Sequence, residues 1–109
     1  MPLSKARIIV TGKVQGVYYR DTTKRKAQAL GLTGAAYNLK DKSVEIVAEG
    51  EKEKINELIT FCKKGPEAAS EVGITSSLAR KRRVDDVRVA WLESGGDRSF
   101  SAFKNGGSK

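Results

Sequence analysis

Between residues 6 and 30 the chain passes from the two-residue period of a strand to the 3.6-residue period of a helix, across one short stretch, GKVQGVYYR, at positions 12 to 20. The run ARIIVTG (6–12) is β-branched and apolar and predicts a strand. A helix is predicted from about residue 20 to 30, where Thr23, Ala27 and Leu30 fall at helical spacing and Gly31 supplies a stop. TGAAYNLKDKSVEIVAEG (33–50) then reads as a hairpin, with KDKS as its turn and Val44, Ile46 and Ala48 on one face of its second strand. After Gly50, Ile55, Leu58, Ile59 and Cys62 stand at i, i+3, i+4 and i+7 and define the buried stripe of a second helix. Glu51 and Glu53 lie in its first turn and Lys63 and Lys64 in its last, as the helix dipole prefers, and Gly65-Pro66 ends it. VDDVRVAWLESGGDRSFSAFK (84–104) predicts a final strand pair turning at SGGD. The order β, α, β, β, α, β with a short closing strand is that of an α+β, ferredoxin-like sandwich: two helices packed on one face of a mostly antiparallel sheet. Each crossover contains a helix of suitable length, so the topology needs nothing unusual.

All 109 residues are read as one domain with one core. No apolar run is long enough to span a bilayer, and the opening MPLSKARIIVTGK has no signal-peptide apolar region, so a cytoplasmic location is expected; the chain is also read as a monomer. The sequence has no histidine and one cysteine. Ser-His triads, Cys-His pairs, phosphohistidine intermediates and metal sites built on His or Cys are thereby excluded. Cys62, in the fourth place of the second helix's stripe, reads as a core thiol.

The net charge of +8 is uneven: residues 1 to 26 hold seven basic groups against Asp21, leaving only +2 for the other 83 residues. A positive field around the first strand, turn and helix favours an anionic partner, either a small phosphate compound or a nucleic acid. Residues 67–83, EAASEVGITSSLARKRR, form a long polar connection ending in four basic residues, read as a loop or a basic arm. The tail KNGGSK (104–109) is expected to be flexible.

A turn that leads into a helix points unpaired N–H groups outward, where the helix dipole adds partial positive charge. Gly12 and Gly16 let it curl so that several N–H groups converge, and Arg20 adds a planar fork of donors suited to phosphate. GKVQGVYYR thus has the parts of a phosphate cradle, although it is neither a Walker A loop nor a dinucleotide fingerprint.

Taken in order, GKVQGVYYR, AQALGLTG, NLKD, VEIVAEG, KKGP and FSAF resemble the motifs of the acylphosphatase family across nearly the whole chain. The resemblance implies hydrolysis of an acyl phosphate to a carboxylate and inorganic phosphate, without a metal, a cofactor or a covalent intermediate. It implies that Arg20 and the backbone amides of Gln15, Gly16, Val17, Tyr18 and Tyr19 hold the phosphate and that Asn38 positions the attacking water. A small acyl phosphate is then the substrate, and inorganic phosphate the product or an inhibitor. Three departures stand out. Tyr18 occupies a place usually held by a small residue, Lys42 replaces the usual turn glycine and suggests a different hairpin turn, and residues 67–83 exceed the family's short link. The alternative is a ferredoxin-like nucleic-acid-binding module using the basic N-terminal third and residues 80–83. The RNP1 pattern is missing, so nucleic acid is expected only as a weak electrostatic side property.

Overall fold

In β1 (Ser4–Lys13), Ala6, Ile8 and Val10 alternate inward and are fully buried. The hairpin forms as β2 (Thr33–Asn38) and β3 (Val44–Gly50). β1 runs antiparallel to β3, with Ala6 opposite Ala48, Ile8 opposite Ile46 and Val10 opposite Val44, so one face of the sheet carries a continuous apolar row. In this computed structural model, which describes residues 3–92 and 98–109, α1 (Tyr19–Ala29) and α2 (Lys52–Cys62) cover that face. Ala27 from α1 and Ile55, Leu58 and Cys62 from α2 join the same cluster as Ile8 and Ile46. Full burial of Ile55 and of Leu58 contributes about 1.5–3 kcal/mol each. α1 ends where Gly31 takes a left-handed φ of 74°, as its sequence position suggests. No helix among the described residues is long and apolar enough to cross a membrane.

The connection after α2 is more ordered than a loop. It contains α3 (Glu67–Glu71) and a 3-10 turn (Ser77–Lys81), held by a small cluster of Ala69, Ile74 and Ala79 with Val72 packed against it. The 3-10 turn leads directly into β4 (Arg83–Leu92). Ser76 caps the turn by accepting a hydrogen bond from the Leu78 amide.

The end of the chain departs from the expected hairpin. Residues 94–97, the SGGD turn, lie outside the described residues. The last strand, β5 (Phe103–Ser108), pairs parallel with β2 at the opposite edge of the sheet from β4, giving the order β4-β1-β3-β2-β5. Glu49 explains the route: its buried carboxylate accepts hydrogen bonds from the Ser99 and Phe100 amides, while Arg98 donates to the Glu49 carbonyl and the Thr33 hydroxyl. These bonds draw the chain to the β2 edge, where Phe103 enters the core at 2% exposure. Residues 104–108, expected to be flexible, continue that strand. Beyond it, the Lys109 amide donates to the Asn38 carbonyl at 2.8 Å and the Lys109 ammonium meets Glu45 at 2.6 Å. In the β2–β3 turn, Lys42 adopts a left-handed φ of 77°, a conformation that glycine takes without strain.

Candidate active site

β1 bulges between Thr11 and Gly12 against β4, and Gly12 is required there: a Cβ would lie 2.2 Å from the Arg83 carbonyl oxygen. Its role is close backbone packing rather than anion binding. The loop that follows is pinned at two places, since Val14 and Val17 are each buried in the core. The Gln15 side chain donates to the carbonyls of Leu39 at 2.8 Å and Ser43 at 2.9 Å, tying the loop to the β2–β3 turn. Between these anchors the backbone curls through left-handed Gly16 (φ 75°) and Tyr18 (φ 60°). Among the described residues, the amides of Gln15, Gly16, Val17 and Tyr18 find no protein acceptor. They are available beside the N-terminus of α1, where the helix dipole is positive.

Arg20 lies in the first turn of α1, and its Nη1 donates to Asn105 Oδ1 at 2.8 Å. Asn105 in turn donates from Nδ2 to Asp21 at 3.1 Å, which fixes the orientation of the amide holding the guanidinium. One donor is engaged in this way, and the rest of the fork remains for a ligand. Asn38, the last residue of β2, has its Oδ1 buried without a hydrogen-bond partner among the described residues. Arg20, Asn38, Gly16, Tyr18 and Tyr19 all border one cavity of about 320 Å³. Of the seven residues to which the resemblance gives a role, only Gln15 and Val17 do not border it; their side chains serve the turn and the core.

Tyr19 is an anchor for the loop. Its hydroxyl donates to the Cys62 carbonyl at 2.8 Å, and burial raises its pKa well above the ordinary value, so the phenol stays protonated. The Arg82 guanidinium lies 4.8 Å from the centroid of that ring. Arg82 is 4% exposed, and burial lowers its pKa. From behind the loop its Nη2 donates to Thr22 Oγ1 at 2.7 Å and approaches the Tyr18 and Val17 carbonyls at 3.4 and 3.5 Å. The basic run at 80–83 is therefore no continuous arm: Arg82 points inward and Arg83 pairs with Asp85 at 2.8 Å. Arg82, Asn105 and Leu78, which also borders the cavity, are site residues that the sequence did not identify. Their residue types carried no signal, because one lay in a run of like charges, one in an apparent tail and one in an apparent loop. No cluster of three or more His, Cys, Asp or Glu residues that could hold a metal ion occurs among the described residues.

Unpaired loop amides at a helix N-terminus, an arginine fork and a carboxamide around one cavity, on a ferredoxin-like sandwich, define a phosphate-handling class of α+β protein. Comparison with known proteins specifies the family. The acylphosphatase family model matches residues 6–103, so the chain belongs to the acylphosphatase family, and the activity is that of an acylphosphatase. An acylphosphatase of Pelotomaculum thermopropionicum is 39% identical over 104 residues, covering 95% of this chain and 97% of that protein. The solved structure of an acylphosphatase from Coxiella burnetii superposes with a TM-score of 0.75 at 29% identity, covering 95% of this chain and 93% of that one. Full-length HypF in its phosphate- and nucleotide-bound form matches with a TM-score of 0.76 at 27% identity, covering 99% of this chain but 12% of that one.

Proposed function

We propose that this site hydrolyses acyl phosphates by direct attack of water on phosphorus, with the phosphoryl group held by Arg20 and the amides of Gln15 to Tyr19 and the water oriented by Asn38. The P–O bond to water forms as the P–O bond to the acyl group breaks, the carboxylate departs with the electron pair, and the water's proton passes to a phosphate oxygen, giving inorganic phosphate. Carboxylate is a good leaving group, so positioning and stabilisation of charge on the equatorial oxygens carry the reaction. The observation that carries this reading is the place of Asn38: it borders the same cavity as Arg20, and its carboxamide oxygen has no hydrogen-bond partner among the described residues, which leaves the group free to orient a water. Residues 1–109 would act as a single domain, a cytoplasmic monomer with inorganic phosphate as a product inhibitor.

The test is turnover of benzoyl phosphate by purified protein with EDTA present. Wild type is expected to release phosphate, and Arg20→Ala to lower kcat/KM by roughly 10²-fold or more while the protein stays folded. Absence of turnover by wild type refutes the reading.

A further inference from the structure

Five large hydrophobic side chains are conspicuously exposed among the described residues. Val89, Trp91 and Leu92 share the edge strand β4, whereas the other two, Tyr18 and Leu78, both border the cavity of Arg20 and Asn38. We infer that Tyr18 and Leu78 form the wall that receives the acyl group, and that they select acyl phosphates whose acyl portion is apolar and of about benzoyl size over short ones. This inference rests on the hydrolytic reading of the site and names its substrate class.

The topology places the wall on the leaving-group side. Displacement at phosphorus puts the attacking and departing oxygens roughly in line, on opposite sides of the phosphorus. Asn38 ends β2, and Asn105 lies on β5 beyond it, so the water-orienting flank belongs to that side of the sheet. Leu78 comes from the 3-10 turn that leads into β4 at the other edge, and the phosphate loop follows β1, which runs between β4 and β3. A water beside Asn38 therefore directs the leaving carboxylate toward Leu78 and Tyr18.

The wall is also fixed relative to the phosphate. Ser76 caps the turn that carries Leu78, Ala79 is buried in the cluster with Ile74, and Arg82, four residues after Leu78, bonds to Thr22 under the loop. A turn held in this way gives up little backbone freedom when an acyl group covers Leu78, so more of the burial of the two apolar surfaces is retained as binding.

The experiment compares benzoyl phosphate with acetyl phosphate in wild type, Leu78→Ala and Leu78→Lys. The quantity read is the ratio of the two kcat/KM values, in which the substrates' intrinsic reactivities cancel between variants. Loss of an apolar contact of this size is expected to lower the benzoyl-to-acetyl ratio about tenfold in Leu78→Ala, and the charge in Leu78→Lys to lower it at least as far. Leu78 is 44% exposed, and thermal unfolding checks that both variants remain folded. A ratio unchanged in both variants, with both substrates hydrolysed, overturns the wall and leaves the hydrolytic function standing. If wild type hydrolyses neither substrate, the function itself falls and the wall with it.

Discussion

Replacing Arg82 with methionine separates what this residue does for stability from what it does for the loop. On the favourable side stand one charge-assisted hydrogen bond to Thr22 at 2.7 Å, contributing about 1.5–3 kcal/mol, and the stacking on Tyr19 at 4.8 Å, contributing about 1–2 kcal/mol. The contacts to the Tyr18 and Val17 carbonyls, at 3.4 and 3.5 Å, are at the limit of hydrogen bonding and add little energy. Opposing them, removal of a guanidinium from water costs several kcal/mol. The Nε–H, buried without an acceptor among the described residues, costs about 1–3 kcal/mol more. These effects nearly cancel, in keeping with a pKa that burial lowers although Tyr19, Cys62 and Glu67 pull it up. Methionine has similar length and no charge, so Arg82→Met should change unfolding free energy by less than about 1.5 kcal/mol. Arg82→Ala leaves a cavity and should cost about 2–4 kcal/mol. Methionine cannot grip Thr22 or the loop carbonyls, and a small displacement of the amides proposed to hold the phosphate is expensive in rate. With benzoyl phosphate, kcat/KM of Arg82→Met should fall about tenfold or more, and inhibition by inorganic phosphate should weaken in parallel. An α2 variant of matched thermal stability should show neither change. A folded Arg82→Met protein with wild-type kcat/KM and phosphate inhibition would refute the positioning role, and a stability loss above about 3 kcal/mol would refute the cancellation.

Two further outcomes follow from buried ionisable groups. Burial pushes Glu45 up, but hydrogen bonds and charges from Lys109 and Arg7 outweigh it; at Glu49 the Ser99 and Phe100 amides and the Thr33 hydroxyl likewise outweigh burial, so both carboxyls fall below the ordinary 4.5. A depressed folded pKa gives stability that is complete above the unfolded value and lost as pH falls through the folded one, so urea midpoints should hold level above about pH 5 and decline below about pH 4, less steeply in Glu49→Gln; a level profile through pH 3 refutes this. Burial pushes the Cys62 thiol up to about 12, against an opposing hydrogen bond from Tyr19, so the native protein should resist iodoacetamide at pH 8 and react in denaturant; rapid native labelling refutes this.

The elements that the sequence makes legible are those whose burial follows one period. Ile8 and Val10 at spacing two, and Ile55, Leu58 and Cys62 at spacings of three and four, identify their elements without knowledge of any partner. The curl of the loop before α1 was legible for a related reason, since left-handed Gly16 and the helix that follows are local features. β5 was not, because its place depends on a residue fifty positions away: the Glu49 carboxylate that collects the Ser99 and Phe100 amides. Its residues 104–108 look like a polar tail because their pairing is made by the backbone against β2, which needs no apolar side chain. Arg82 was hidden among four consecutive basic residues, and only the geometry of the 3-10 turn and β4 turns that one inward.

Tyr18 joins these two levels. A non-glycine residue at φ 60° and ψ 24° costs about 1–2 kcal/mol relative to a right-handed conformation. The surrounding structure holds it there: the Thr22 amide at 3.0 Å, the Thr22 hydroxyl at 2.6 Å and Arg82 Nη2 at 3.4 Å all converge on its carbonyl oxygen. Glycine would take the same conformation without strain, and burial offsets the strain only in part because the side chain remains 43% exposed. Strain of this kind, held by several bonds at a partly exposed side chain, points to a use for that side chain. The ring stands on the border of the cavity that holds Arg20 and Asn38, with Leu78 as the other exposed apolar group there. On the proposed reading, Tyr18 supplies an apolar surface beside the loop, where a departing carboxylate bearing an apolar group would meet it.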